Sequence, residues 1–242
     1  MNLKSIFSKP ERTPVCSAVI VAAGSSQRMG SDKIMADLGG IPVLVRTLRA
    51  FQRSDVVKEI IVVTRAEKIE EIADLCKNHG IDKVSKVICG GATRTESCLA
   101  GVSEVDSKAK LIAIHDGARP LVSQDLILRT VYAAQEHMAA VPAIKSTDTL
   151  KLVDQNSLVI GGVDRERTVR VQTPQVFRAD LIKGALTDAM NKKLKLTDDC
   201  SAMERIGVKT YVVPGDEDNI KLTTPRDFLI ARSILEERGE LA

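Results

Sequence analysis

Short apolar runs alternate with amphipathic stretches over most of the chain. Buried strands are predicted where aliphatic residues run together, at Val19–Ala22, Ile60–Val63 and Leu111–Ile114, and a weaker strand is predicted at Val84–Cys89. Helices are predicted where apolar residues recur three or four positions apart, first after Pro42 and then at 69–80, 95–102, 123–137, 179–190, 199–206 and 225–237, with a last strand at 208–213. This alternation predicts an α/β fold with a Rossmann-like, doubly wound and mostly parallel sheet, which binds ligands at the carboxyl ends of its strands.

The alternation stops between about residues 141 and 173. Two stretches there, Thr147–Asp154 and Ser157–Ile160, flank the polar pair Gln155-Asn156. This pattern predicts a protruding β-hairpin arm that no helix covers. Because an isolated hairpin is barely stable in water, the arm should pack either on its own chain or on a partner subunit.

Composition limits the classes of function. A chain of 242 residues suits a single domain at 15–240, preceded by a short flexible extension at 1–14. The net charge of +3 argues against nucleic-acid binding, and no apolar run is long enough for a membrane span. The five scattered cysteines have neither disulfide nor zinc-site spacing, and the first residues lack the apolar stretch of a signal peptide. These features indicate a cytoplasmic protein.

The loop after the first strand combines small residues with cations, in the order Ala22, Ala23, Gly24, Arg28 and Lys33. Small residues let backbone N–H groups approach a phosphate, and the two cations can neutralise charge that develops on phosphorus. The spacing fits neither the dinucleotide-binding fingerprint nor a Walker loop. The loop therefore predicts a polyphosphate site, although an ordinary turn with solvated cations is the alternative.

The segment His115–Pro120 follows the fourth apolar run. Asp116 stands just past the end of that predicted strand, where a carboxylate can hold Mg²⁺ together with water and phosphate oxygens. The alternative is a structural ion pair between Asp116 and Arg119. We expect a structural role for His115.

The segment Gly90–Ser97 combines a tight loop with a helix start, which is a favourable place for an anion. Ser97 could reach a nucleotide there, whereas Arg94 could equally be a surface residue. The pair Asp198-Asp199 is interpreted as favourable charge at a helix N-terminus.

Three further residues suit phosphate binding. Arg165 and Thr173, at the end of the arm, could hold the phosphate of a second substrate. Lys221 could lie near a nucleotide α-phosphate or could belong to a salt-bridged helix entrance. An attacking phosphate oxygen needs no general base, so the small number of histidines is consistent with nucleotidyl transfer.

Taken in order, these segments resemble the 2-C-methyl-D-erythritol 4-phosphate cytidylyltransferases. The matching motifs are Ala22-Ala-Gly…Arg28-Met-Gly…Lys33, Gly90-Gly91…Arg94…Ser97, His115-Asp-Gly-Ala-Arg-Pro120, Val163-Asp-Arg165, Gln172-Thr-Pro-Gln175, Thr197-Asp-Asp and Asp218-Asn-Ile-Lys221. They extend over nearly the whole chain. The resemblance implies transfer of a cytidylyl group from CTP to a sugar-alcohol phosphate, with release of pyrophosphate and with Mg²⁺ as cofactor.

The resemblance also implies a role for each residue. Catalytic contacts to the triphosphate would come from Arg28, Lys33 and Lys221. The nucleotide would contact Ala22, Ala23, Gly24, Gly91 and Ser97, and Asp116 would hold the metal. The second substrate would contact Arg119, Thr173 and Arg165, the last supplied by the neighbouring subunit of a homodimer through the arm.

The chain departs from the family pattern at two points. Asp32-Lys33-Ile34 stands where many members have Pro-Lys-Gln, and Ala92 stands where an acidic residue is common. One alternative is a ribitol-5-phosphate cytidylyltransferase, which shares the fold and most motifs. The other is a catalytically silent nucleotide-binding protein, which would be expected to lack the charged residues.

Overall fold

The computed structural model describes residues 14–24 and 32–241, so most of the predicted extension at 1–14 lies outside it. The strands of the described ranges are β1 (Cys16–Val21), β2 (Val57–Thr64), β3 (Val84–Cys89), β4 (Leu111–Asp116), β5 (Ala139–Lys145), β6 (Lys151–Val153), β7 (Val159–Gly162), β8 (Val169–Val171), β9 (Gln175–Arg178) and β10 (Tyr211–Pro214). The helices are α1 (Val43–Gln52), α2 (Ile69–Asn78), α3 (Arg94–Ser103), α4 (Gln124–His137), α5 (Ala179–Asn191), α6 (Asp199–Arg205) and α7 (Pro225–Glu237). Each predicted helix is present.

One sheet has the strand order β10-β5-β9-β4-β1-β2-β3, with β8 paired to β5. Neighbours are parallel from β3 to β4, and β10 is parallel to β5. The antiparallel members are β9, between β4 and β5, and β8. The predicted mostly parallel sheet is therefore confirmed. The strand order reverses at β1 and β4, so a crevice opens beyond their carboxyl ends.

Helices cover both faces of the sheet, as a doubly wound fold requires. Alternate residues of β1 separate the two cores: Ala18 and Ile20 pack with apolar residues of α1, α2 and α4, whereas Val19 packs with those of α3, α5 and α6. These strand residues are fully buried. A third, smaller cluster joins α7 to Leu121 and Leu222, next to the crevice.

The arm begins later than predicted. Residues 139–145 form β5, a strand of the main sheet, and β9 is a strand that the sequence pattern did not reveal. The run Ala139–Lys145 contains small residues and Pro142, and Gln175–Arg178 has only four residues, so neither has the aliphatic run that identified β1, β2 and β4. Pairing with distant strands determines their conformation. The last strand also begins at Tyr211 rather than at residue 208.

The hairpin of the arm consists of β6 and β7. The Asp154 carboxylate closes its turn by accepting hydrogen bonds from the backbone N–H groups of Asn156 and Leu158, each at 2.9 Å. Leu158, Val159 and Ile160 are 63–66% exposed. The predicted hairpin is present, but the described part of the chain leaves its apolar side chains uncovered. Within the same ranges, no helix combines the length and apolar character needed to cross a membrane.

Helix α3 lies so close to β1 that its contact position requires glycine. A Cβ atom added at Gly101 would overlap Val19 and lie 2.8 Å from Val63 Cγ2. Gly184, inside α5, has nothing within 4 Å of the corresponding position. Substituting alanine at these two positions therefore separates the cost of overpacking, at Gly101, from the gain in helix propensity, at Gly184.

We expect Gly101→Ala to lower the free energy of unfolding by about 1–3 kcal/mol because the methyl group overpacks the core. Gly184→Ala should raise it by up to about 1 kcal/mol because alanine favours the helix. Urea denaturation of both variants measures the difference. An unchanged stability in Gly101→Ala would contradict the close packing of α3 on β1.

Candidate active site

A pocket of about 360 Å³ opens at the carboxyl ends of β1 and β4, where the strand order reverses. We call it the switch-point pocket. It is lined by residues that follow β1, β3 and β4 and by one lysine that precedes α7: Val21, Ala22, Ala23, Gly24, Lys33, Ile34, Gly91, Ala92, Thr93, Arg94, Ser97, Asp116, Ala118 and Lys221. Four segments that are far apart in sequence therefore meet at one crevice.

Small residues allow these loops to approach one another. A Cβ atom at Gly90 would lie 2.7 Å from Ser97 Oγ and 2.9 Å from Ala23 Cβ. A Cβ atom at Gly117 would lie 3.2 Å from Ala22 Cβ. Glycine and alanine are needed where the loops after β1, β3 and β4 touch, and the same closeness exposes backbone N–H groups to a ligand.

Ser97 holds the loop before α3 in place. Its Oγ accepts a hydrogen bond from the Gly91 N–H at 3.2 Å and donates to the Thr93 carbonyl at 3.0 Å. Thr93 in turn caps α3 by accepting from the Glu96 N–H. Ser97 is buried, so its hydroxyl fixes the Gly91 backbone beside the pocket. Its predicted nucleotide contact stays a prediction.

Cations surround the buried carboxylate of Asp116. Lys221 Nζ lies 2.9 Å and Arg119 Nε 3.4 Å from its Oδ2 atom. Burial acts against the charged carboxylate, but the positive charge of Lys221, with weaker help from Arg94, lowers the pKa of Asp116 to about 2. Asp116 is therefore ionised at neutral pH.

Backbone contacts bring Lys221 to the pocket. The Leu222 N–H donates to the Ala118 carbonyl at 2.9 Å, which joins the segment before α7 to the loop after β4. Arg119 Nη1 donates to the carbonyl of buried Asn219 at 2.6 Å. The Lys221 ammonium has three N–H donors, of which one contacts Asp116, so others can serve a phosphate oxygen.

Arg94 is half-buried and forms a two-point ion pair with Asp199, at 2.9 and 2.7 Å. Asp199 is 1% exposed, and its N–H donates to the side-chain carbonyl of Gln175. Burial opposes the guanidinium charge, but the Asp199 carboxylate raises the pKa of Arg94 above its ordinary value. The pair fixes a permanent cation against the pocket wall.

His115 and Thr173 position the backbone of Asp116. His115 Nε2 contacts the Arg119 carbonyl at 3.2 Å, which requires a proton on Nε2. Nδ1 is then an acceptor, and the Thr173 hydroxyl donates to it at 3.0 Å. The same hydroxyl accepts from the Asp116 N–H at 3.1 Å. Burial lowers the pKa of His115 to about 4, so the ring is neutral at pH 7.

The structure brings most predicted site residues together. Eight of them line the pocket: Ala22, Ala23, Gly24, Lys33, Gly91, Ser97, Asp116 and Lys221. Arg119 and Thr173 are not among the lining residues, but both form hydrogen bonds with Asp116. Arg165 lies in a 3-10 turn on the arm and is exposed. Arg28 lies outside the described residues.

The sequence did not predict the Arg94–Asp199 pair. The local pattern is consistent with Arg94 as a surface residue, and it indicates Asp199 as charge at a helix N-terminus. Asp198 does cap α6, since its carboxylate accepts from the Ser201 N–H. The ion pair joins residues 105 positions apart, and only the fold places them in contact. The local signal that could have pointed to Arg94 is its place in the motif Gly90-Gly91…Arg94…Ser97.

The donor set suits Mg²⁺ better than a metal with an all-protein cage. The described residues contain no group of three or more His, Cys, Asp or Glu side chains that could hold an ion. Among those lining the pocket, Asp116 has the one carboxylate. Mg²⁺ commonly uses one or two carboxylates and completes its shell with water and substrate phosphates. Asp116 fits this requirement when a triphosphate is bound.

Comparison with known proteins agrees with this geometry. The family model described as 2-C-methyl-D-erythritol 4-phosphate cytidylyltransferase matches residues 16–237. Proteins of that name from Caldanaerobacter subterraneus subsp. tengcongensis and Halalkalibacterium halodurans are 39% and 41% identical over 226 and 224 residues. The alignments cover 90% and 92% of this chain and 98% and 97% of the relatives.

Solved structures show the same relationship. A 4-diphosphocytidyl-2C-methyl-D-erythritol synthase from Anaerococcus prevotii is similar with a TM-score of 0.82 and 33% identity, over 93% of this chain and 99% of that one. A 2-C-methyl-D-erythritol 4-phosphate cytidylyltransferase from Thermus thermophilus is similar with a TM-score of 0.73 and 29% identity, over 90% of this chain and 98% of that one. The chain belongs to the 2-C-methyl-D-erythritol 4-phosphate cytidylyltransferase family.

Proposed function

We propose that the switch-point pocket transfers a cytidylyl group from CTP to 2-C-methyl-D-erythritol 4-phosphate. The products are 4-diphosphocytidyl-2-C-methyl-D-erythritol and pyrophosphate, and the reaction serves isoprenoid precursor synthesis by the non-mevalonate route. The observation that carries the proposal is the group of cations around Asp116 at the carboxyl ends of β1 and β4, in a chain of this family.

The reaction replaces one bond to the α-phosphorus by another. A phosphate oxygen of the sugar-alcohol phosphate forms the new oxygen–phosphorus bond, and the bond to the β-phosphate oxygen breaks as pyrophosphate leaves. The attacking oxygen is already ionised, so the pocket needs no general base. Its task is to align the two phosphates and to stabilise the charge that builds up on the equatorial oxygens.

Fixed cations meet that need. We assign Lys33, Lys221 and Arg28 to the triphosphate, the first two because they line the pocket and the third from the motif alone. The ion pair of Arg94 with Asp199 holds a fourth cation rigidly at the wall. Charges that are already in place require no reorganisation during the reaction, and they therefore stabilise the transition state more than the ground state.

Asp116 is the residue that would hold Mg²⁺. When bound with the triphosphate, the ion would neutralise phosphate charge and assist departure of pyrophosphate. The low pKa of Asp116 keeps the carboxylate ionised for this purpose. Thr173 and His115 fix its backbone, so the carboxylate stays at the end of β4.

The second substrate is assigned to Arg119, Thr173 and Arg165. Arg119 contacts Asp116, and Thr173 supports the Asp116 backbone, so both lie next to the carboxylate that we assign to Mg²⁺. Arg165 lies on the arm beyond the residues that line the pocket of its own chain. We therefore infer that it reaches the pocket of a second subunit.

The exposed arm supports a homodimer. Its apolar side chains are uncovered in the described part of the chain, and burying them against a second copy would stabilise both arms. The arm of each subunit would then approach the other subunit's pocket. This arrangement gives the hairpin both a packing surface and a function.

The alternatives have less support. The relatives described above are named for methylerythritol phosphate rather than for ribitol 5-phosphate. A silent nucleotide-binding protein would have no need for Lys33, Asp116 and Lys221 together in one pocket. We also infer a reducing cytoplasmic location, because all five cysteines are unpaired and four of them are buried.

Pyrophosphate release with CTP and Mg²⁺ tests the activity. We expect turnover with 2-C-methyl-D-erythritol 4-phosphate and little with ribitol 5-phosphate. Lys221→Met should reduce kcat by about 10²–10³-fold because a preorganised cation is lost. Lys209→Met, at an exposed lysine outside the pocket, is the matched control and should keep wild-type turnover.

Two results would contradict this account. Activity with ribitol 5-phosphate alone would reject the proposed substrate, and an unchanged kcat in Lys221→Met would reject the role of that lysine.

Complementation tests the origin of Arg165. Arg165→Ala and Lys221→Met should each be inactive as homodimers. If Arg165 acts in the neighbouring pocket, mixing and reassembling the two variants creates one intact site in each heterodimer, and about a quarter of wild-type activity should return. No recovery in verified heterodimers would mean that Arg165 acts within its own chain or not at all.

The buried neutral His115 predicts a pH dependence of stability. The unfolded ring gains a proton below about pH 6.5, whereas the folded ring resists protonation until about pH 4. The free energy of unfolding should therefore fall as pH decreases through this window, by on the order of 2–3 kcal/mol. Asp116 adds a further loss between pH 3.8 and about 2, as its carboxylate becomes protonated.

Urea denaturation at several pH values measures this dependence. His115→Gln should flatten the profile between pH 6.5 and 4, and His79→Gln, at the end of α2, should retain it. An unchanged slope in His115→Gln would show that the histidine is not the titrating group.

A further inference from the structure

A second cavity, of about 450 Å³, lies between the C-terminal end of α1, the loop after β4 and the end of α7. Four arginines line it: Arg46, Arg49, Arg53 and Arg238. Its remaining walls include Ile41, Ala50, Pro120 and Val122. We call it the arginine pocket. It shares no lining residue with the switch-point pocket.

Two of the four guanidinium groups are already engaged. Arg46 is 8% exposed and donates to the carbonyls of Leu38 and Gly39, at 2.7 and 3.0 Å. Arg238 donates to the Leu121 carbonyl at 3.1 Å and pairs with Asp218 at 2.9 Å. These contacts hold both side chains in fixed positions around the cavity.

The other two cations lack a counter-charge. Within the described ranges, neither Arg49 nor Arg53 has a carboxylate oxygen within 4.0 Å. Arg49 lies in the last turn of α1 and Arg53 is its C-cap, four residues further on, so their like charges repel. Glu240 is the one acidic residue among those lining the cavity. The arginine pocket therefore keeps an excess of positive charge.

We propose that the arginine pocket binds a small phosphate ester with an apolar group. Guanidinium groups match phosphate oxygens through paired N–H donors, and the surplus charge suits a dianion. The walls formed by Ile41, Pro120 and Val122 would cover a short hydrocarbon chain. An inorganic anion alone would leave this apolar surface unused.

A solvated cationic face is the ordinary explanation for surface arginines, and helix α1 gains from Arg49 at its C-terminal end. That explanation does not account for a cavity of this volume. Four cations converge here from α1 and the end of α7, which are far apart in sequence. Convergence of this kind is typical of a binding site rather than of a charged helix face.

Calorimetric titration of n-butyl phosphate tests the proposal. The titrated protein is Lys221→Met, in which the switch-point pocket has lost one of its cations. We expect one saturable site that is weakened at least about tenfold by adding Arg49→Gln and Arg53→Gln, since two charge-assisted contacts are lost. Adding Arg205→Gln and Arg232→Gln instead, at exposed arginines outside both pockets, should leave the affinity unchanged.

Further measurements make the test specific. Arg53→Glu alone, at an exposed position, should also weaken binding, and circular dichroism should show that every variant is folded. Inorganic phosphate should bind more weakly than n-butyl phosphate. Absence of saturable binding, or equal affinity with and without the two α1 arginines, would overturn the proposal. Equal affinity for the two probes would overturn its apolar part. Because the readout is binding, failure of the cytidylyl-transfer proposal would leave this test intact.

Discussion

One buried carboxylate, Asp116, joins the segments that build the candidate active site. Its backbone N–H is held by Thr173, which lies just before β9. Its side chain contacts Arg119 from the loop after β4 and Lys221 from the segment before α7. A buried carboxylate without a cationic partner would destabilise the folded state, so Arg119 and Lys221 both contribute to keeping Asp116 buried and ionised. The cations that suit a triphosphate are thereby also part of what keeps the loops together.

Two charged residues of the site, Asp116 and Arg94, lie at the ends of buried secondary-structure elements. Asp116 ends a strand whose six residues are all buried, and Arg94 begins a helix that packs on β1 through Gly101. Rigid elements hold the charged groups, whereas the loops between them supply small residues and backbone N–H groups. Preorganised charge of this kind is the main means by which a protein can accelerate phosphoryl chemistry without a covalent intermediate.

The sequence revealed the parts of the fold that local pattern specifies. Aliphatic runs identified β1, β2 and β4, because burial on both faces of a parallel sheet leaves a clear signal. The edge strand β3 is partly exposed and has a weaker pattern, and helical spacing identified the seven helices. Strands β5, β8 and β9 were missed because small residues, Pro142 and short length hide them, and pairing with distant strands decides their structure. The pocket residues after β1 and β4 were predictable because they directly follow two strands that the aliphatic runs had identified. The Arg94–Asp199 pair and the Thr173–His115 contact were not, since each joins residues that only folding brings together.

Strand β5 has a further consequence. Its first residues pair with β9 inside the main sheet, and its last residues, Ala143 to Lys145, pair with β8 at the base of the arm. One continuous strand thus passes from the hydrophobic core to the base of the arm, and residues 146–150 connect it to the hairpin. The base of the arm therefore inherits its orientation from the core, whereas the hairpin forms a two-stranded sheet of its own and joins that base through the connections at 146–150 and 163–168.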